Sequence, residues 1–172
     1  MTGEIVLGGG CFWCTEAAFK EVEGVKQVTS GYAGGETEDP SYREVCSGDT
    51  GHAEVVRVEF DPGEVSLREL LDLFFRIHDP TQKDRQGPDV GTQYRSIVLY
   101  RDTDQKQTVE EVLEEVRERH EEEVHTKVKE LDRFYPAEEK HQDYFEKHPE
   151  DAYCTTHAQP KVEKAREFMD PE

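Results

Sequence analysis

The sequence predicts an α+β fold: a two-layer sandwich of a mixed sheet and packed helices around a ferredoxin-like core, with a mobile C-terminal tail. Three observations predict it. Segments with strand periodicity and segments with helix periodicity intermix along the chain. No glycine-rich phosphate loop follows a strand and opens a helix, which argues against a doubly wound sheet. The 172 residues suffice for one buried core. Residues 1–172 are therefore read as a single domain, with 149–172 as its tail.

Ile5-Val6-Leu7 is a short apolar strand running into Gly8-Gly9-Gly10. A helix follows over 15–21 through Ala17, Ala18 and Phe19 and stops before Gly24. Val25 to Tyr32 reads as a second strand closed by Gly34-Gly35, and 36–51 reads as loop, punctuated by Asp39-Pro40, Gly48-Asp49 and Thr50-Gly51. Ala53 to Phe60 is the clearest strand, with Val56, Val58 and Phe60 on one face. Parity puts Glu54 on that same apolar face. A carboxyl there finds partners or takes up a proton, because desolvation raises its pKa. Ser66 with Glu69 is a capping box for a helix carrying Leu67, Leu70, Leu71, Phe74 and Phe75.

A long polar loop spans 78–92, and Tyr94 to Tyr100 reads as a strand. Asp102 with Gln105 caps a long helix whose buried stripe is Val109, Val112, Leu113 and Val116. Glu115 and Arg119 are spaced as an i,i+4 pair on its surface. A short strand near 127–131 and a helix near 137–147 precede a tail with little internal pattern.

Asp and Glu number 40 against 21 Lys and Arg, a formal net charge of −19. So acidic a chain repels nucleic acid and anionic membranes, and its surface suits a high-salt solution that screens self-repulsion. No basic, apolar leader opens the chain and no run approaches a membrane span, so a cytoplasmic protein is expected. Four cysteines are too few for a disulfide scaffold, leaving redox, catalytic or metal use. The spacing of His52, His78 and His141 fits no zinc pattern, and neither metal nor cofactor is expected. His52 and His78 read as structural hydrogen bonders beside the site, and Cys46 as packed in its loop or the core.

The chemistry concentrates in Gly10-Cys11-Phe12-Trp13-Cys14. A cysteine at a helix start meets unpaired N–H groups and the positive end of the helix dipole, which favour thiolate. Phe12 and Trp13 stand behind it as apolar walls, Gly51-His52-Ala53-Glu54 supplies the inward carboxyl, and the loop 78–92 is long enough to be functional. The residues alone leave three readings: an enzyme using a thiolate nucleophile beside an acid, a general thiol–disulfide oxidoreductase using Cys11-Cys14, and a non-catalytic acidic binding protein.

Six motifs in order resemble the A-type peptide methionine sulfoxide reductases. They are Gly10-Cys11-Phe12-Trp13, Gly31-Tyr32-Ala33-Gly34-Gly35 and the run from Tyr42 to Glu54. His78-Asp79-Pro80-Thr81-Gln82, Gly91-Thr92-Gln93-Tyr94-Arg95-Ser96 and His141-Gln142-Asp143-Tyr144 complete the set. The resemblance implies reduction of methionine S-sulfoxide, in proteins and as the free amino acid, to methionine. It implies that Cys11 attacks sulfur, that Phe12 and Trp13 hold the S-methyl group, and that Glu54 protonates the sulfoxide oxygen. Tyr42 and Tyr94 would bind that oxygen, and Asp89 would line the site. The resulting sulfenic acid would be resolved by Cys154, which follows Tyr153 in the tail, and the disulfide reduced by thioredoxin or another dithiol. Cys14 departs from many family members and, at i+3 from Cys11, is a rival resolving thiol. The family also implies a monomer.

Overall fold

β1 (Gly3–Gly8) leads through two glycines into α1 (Phe12–Lys20), which crosses over to β2 (Val25–Ala33). α2 (Tyr42–Cys46), β3 (Ala53–Phe60) and α3 (Leu67–Ile77) follow. A small hairpin, β4 (Arg85–Gln86) and β5 (Asp89–Val90), and a 3-10 turn (Thr92–Tyr94) precede β6 (Ile97–Tyr100) and α4 (Thr103–Arg119). β7 (Lys127–Glu130), β8 (Phe134–Pro136), a 3-10 turn (Glu139–His141), α5 (Tyr144–Lys147), a π turn (Cys154–Ala158) and α6 (Gln159–Met169) complete the chain. This computed structural model describes residues 3–87, 89–148, 150–152 and 154–169, with backbone alone for Phe145, Cys154, Thr155 and Met169.

The main sheet has the order β7-β6-β1-β3-β2-β8. Every pair is antiparallel except β6 with β7, so the sheet is mixed. Its central four strands, β6-β1-β3-β2, have ferredoxin-like order, with β3 inserted between the two strands that α1 connects. One face packs Ile5, Leu7, Val56, Val58 and Val98 beneath helical residues such as Phe19, Leu70, Phe74 and Val112. The other carries a smaller cluster of Val6, Ala33, Ala53, Val55, Ile97 and Leu99, covered by Leu131 and Phe134. β3 is thereby buried on both faces at its start, and Glu54 is carried into the larger core.

Local sequence signals set several boundaries. Both members of the Ser66/Glu69 capping box are made, and the Asp102 carboxylate accepts the Gln105 N–H at 2.9 Å.

Five expectations are corrected. The loop 36–51 contains α2, whose capping box, Ser41 with Glu44, is closed in both directions. The helix expected near 137–147 is broken into a 3-10 turn and α5, because Asp143 adopts the left-handed region at φ 56°. The strand expected from Tyr94 begins at Ile97, the preceding residues forming the 3-10 turn. Glu115 pairs with Arg68, binding α4 to α3, instead of with Arg119. The C-terminal segment is regular where it is described: α6 buries Val162 and Ala165 against the body, and Arg166 forks onto Glu21, the C-cap of α1.

Candidate active site

Cys11 is the N-cap of α1, with extended backbone at φ −67° and ψ 131°. Gly10 before it sits at φ +87°, where an added Cβ would lie 2.9 Å from the Gln86 side chain, so only glycine permits this close passage under the β4–β5 hairpin. Gln86 is in turn fixed by donating to the Asp79 carbonyl and accepting from the Asp79 N–H. The helix start is not left open for the thiol alone. Phe12 N–H donates to Glu54 Oε1 at 3.2 Å, so a carboxyl reaching in from β3 caps α1.

Glu54 is fully buried, and its Oε2 has no partner in hydrogen-bond geometry among the described residues. Burial raises its pKa to about 8, helped by the charge of Asp89 and opposed by hydrogen bonds with Phe12 and Cys11. Glu54 is therefore protonated at neutral pH, as inward parity on β3 predicts.

Cys11 departs from the sequence expectation of a thiolate favoured by the helix end. The thiol is 6% exposed, and burial, then the charges of Glu54 and Cys14, push its pKa well up. The Trp13 N–H works in the other direction and loses. Burial and a neighbouring acid outweigh the dipole of a nine-residue helix. The resting pair is a thiol beside a carboxylic acid.

Aromatic side chains wall the pair. Phe12, wholly buried, faces the rings of Tyr32, Tyr42 and His141 at 5.7, 6.2 and 5.8 Å. Trp13 stacks on Tyr144 at 3.7 Å with 7° between planes, and its indole N–H donates to His141 Nδ1 at 3.3 Å. His141 lies 4.2 Å from the Tyr42 ring, and its pKa is lowered by burial, which preserves Nδ1 as an acceptor. Burial and the charge of Glu54 raise the pKa of both Tyr42 and Tyr94, keeping the phenols neutral donors. Tyr94 is tied to the glycine run, its carbonyl accepting the Gly10 N–H at 3.1 Å.

The structure thus brings together Cys11, Phe12, Trp13, Tyr42, Glu54 and Tyr94, and Asp89 acts electrostatically on both Cys11 and Glu54. Cys14 is buried one turn into α1, and its N–H donates to the Cys11 carbonyl. Cys46, expected to be packed away, is exposed at the end of α2, where it hydrogen-bonds the Tyr42 phenol. The Cys154 side chain and Tyr153 lie outside what the structure describes. His52 and His78 are structural: His52 Nε2–H donates to Thr37 O, while His78 joins Phe74 O to Ser96 Oγ.

Three contributors were missed by sequence reasoning. His141 and Tyr144, which fix Trp13, stand in a motif that was matched but given no role. Glu138 accepts from the Tyr32 phenol and the Tyr42 N–H, and only its neighbourhood to that motif could have signalled it. A surface cavity of about 630 Å³ along β2 includes none of the expected site residues.

A neutral acid, a thiol and two phenols among aromatic walls suit the reduction of a polar group carrying an oxygen next to a small apolar substituent. Among the described residues no cluster of three His, Cys, Asp or Glu could hold a metal ion.

Residues 3–171 match the family model described as peptide methionine sulfoxide reductase. The peptide methionine sulfoxide reductase MsrA of Natronomonas pharaonis is 59% identical over 169 residues, 97% of this chain and 95% of that protein. The crystal structure of Mxr1 from Saccharomyces cerevisiae in reduced form aligns with TM-score 0.85 and 39% identity over 91% of each chain. Mxr1 in complex with Trx2 aligns with TM-score 0.61 and 29% identity, over 83% of this chain and 84% of that one.

Proposed function

The chain belongs to the peptide methionine sulfoxide reductase family, and from that premise we propose that Cys11 reduces methionine S-sulfoxide with Glu54 as proton donor. The substrate is taken both within proteins and as the free amino acid. The observation that carries this reading is a buried, protonated carboxyl beside a thiol between aromatic walls. Sulfoxide sulfur becomes electrophilic when its oxygen is protonated or strongly hydrogen-bonded, and Glu54, Tyr42 and Tyr94 supply donors for it. Asp89 lines the site, and its charge helps keep the proton on Glu54.

Phe12 and Trp13 receive the S-methyl group. Glu54 passes its proton to the oxygen as the Cys11 sulfur attacks, and the Cys11 thiol proton returns to Glu54. The S–S bond formed by the attack and the substrate's S–O bond then break as the hydroxyl passes to the Cys11 sulfur, so methionine leaves and Cys11 becomes a sulfenic acid. The substrate sulfur gains two electrons and Cys11 loses two. A high thiol pKa at rest is compatible with this, since the proton leaves only as the carboxylate forms.

A second thiol then attacks the sulfenic acid, releasing water and forming a disulfide. We assign that role to Cys154, with Cys14 as the rival because it lies one turn from Cys11. A thioredoxin is the proposed reductant, supported by the complex of the related Mxr1 with Trx2. Among the described residues no helix is long and apolar enough to cross a membrane. We place the enzyme in the cytoplasm, acting as a monomer without nucleic-acid or membrane partners.

The test uses fully reduced protein without added reductant, given a peptide carrying either the S or the R sulfoxide. Methionine from the S epimer alone, with two thiols lost per turnover, is expected. Peptide mapping should find a Cys11–Cys154 link; a Cys11–Cys14 link reassigns the resolving thiol. No methionine and four intact thiols would sink the proposal.

A further inference from the structure

Tyr42 stands on a weak support. It opens α2, a five-residue helix within an exposed excursion between two sheet strands, and helices this short are marginal on their own. The Ser41/Glu44 box closes the helix upon itself without tying it to the body. Val45 is buried, and the Cys46 carbonyl accepts from Gln93 Nε2 at 3.4 Å, both at the far end. At the end that carries Tyr42, the ring lies 4.2 Å from that of His141, and the backbone is held by Glu138.

Glu138 follows β8 and turns both carboxylate oxygens to the site. Oε1 accepts from the phenol of the fully buried Tyr32 at 2.9 Å, and Oε2 accepts the Tyr42 N–H at 3.1 Å. Tyr32 belongs to β2, so one carboxylate bridges the sheet to the first turn of α2. A negative group at that turn also meets the favourable end of the helix dipole. Partial burial alone would push the Glu138 pKa up, but hydrogen bonds from Tyr42, Tyr32 and the backbone hold it below the usual value.

We propose that Glu138 is a positioning residue for the reductase step: its carboxylate fixes the Tyr42 backbone against Tyr32, so that the Tyr42 phenol stays aimed at the sulfoxide oxygen. The inference rests on the function proposed above. Tyr42 stabilises charge that grows on the oxygen during attack, so a misplaced phenol slows the chemical step more than it weakens binding. The substrate's methyl contacts with Phe12 and Trp13 do not pass through Glu138.

The test measures single-turnover methionine formation from the S-sulfoxide for the full chain and for Glu138→Met, Tyr42→Phe and Glu138→Met/Tyr42→Phe. In Glu138→Met both acceptors are lost while the length and volume of the side chain are nearly kept; Gln would not serve, because its nitrogen can donate to the Tyr32 hydroxyl while its oxygen still accepts the Tyr42 N–H. The rate at saturating substrate should fall about ten-fold, with the half-saturating concentration changed less than two-fold. The double variant should be no slower than Tyr42→Phe by more than about two-fold, because both changes disable one group. Tyr32→Phe, the milder change, should slow the step about three-fold.

Losses that multiply in the double variant, or a Glu138→Met rate within two-fold of the unmodified protein, would overturn the assignment. So would a rise in half-saturation matching the fall in rate, which marks general disorder. A wild-type protein that forms no methionine would instead refute the function itself.

Discussion

Glu54 and Cys11 each keep a proton at rest and exchange one in the proposed step, so their titration should govern the pH profile of the reductase step. Glu54 is an acid raised to about 8, so it is protonated below that pH and loses its proton above it. Single-turnover methionine formation should therefore fall on the alkaline side from about pH 8, a limb belonging to the coupled pair. Glu54→Gln should lower the neutral rate about 100-fold, the scale of a positioned general acid, and abolish that limb. A pH–rate profile of both proteins under single-turnover conditions decides it. Of these two residues, Glu54 was legible from the sequence because strand parity alone turns it inward. The state of Cys11 was not. Local order shows a helix start, whereas its pKa is set by burial and by a carboxyl 43 positions away in sequence.

α1 illustrates how one element serves both the site and the frame. Its first turn carries Phe12 and Trp13, and one turn later Glu16, 1% exposed, accepts the Asp143 N–H at 2.9 Å. That bond secures the left-handed turn before Tyr144, the ring stacked on Trp13. Burial raises the Glu16 pKa to about 7, against the opposing charge of Lys20. The unfolded value is near 4.3, so its contribution is fully present below that pH and is lost as pH rises through about 7. Glu16→Gln keeps an acceptor and never ionises. Its melting temperature relative to wild type should rise between pH 5 and pH 8 by about 5 °C, corresponding to about 2 kcal/mol. Thermal unfolding at both pH values tests this, and an unchanged difference would refute it. Among the elements, α3 and α4 were legible because capping residues and an apolar stripe agree within one segment. α2 carried an equally good box in Ser41/Glu44, obscured by its five-residue length and polar surroundings.

Over the whole molecule, a net charge of −19 on 172 residues makes self-repulsion a standing cost of the compact state. Such repulsion is screened as the Debye length shrinks from about 10 Å at 0.1 M salt to about 3 Å at 1 M. The melting temperature should rise by several degrees between 0.1 and 1 M KCl; a fall would show that the surface pairs, such as Arg68 with Glu115 and Arg166 with Glu21, outweigh the repulsion. By itself the sequence determined the α+β class, the main strands and the long helices, since periodicity and caps are encoded within a dozen residues. It also determined the cysteine–aromatic cluster and the inward carboxyl, whose chemistry follows from residue type and parity. Only the tertiary structure decided the sheet order, the regular C-terminal helix, the thiol's protonation and the partners of the site. Glu138 joins Tyr42 across 96 residues of chain and His141 joins Trp13 across 128, and such contacts arise from packing the sheet against its helices, a non-local condition that no local pattern expresses.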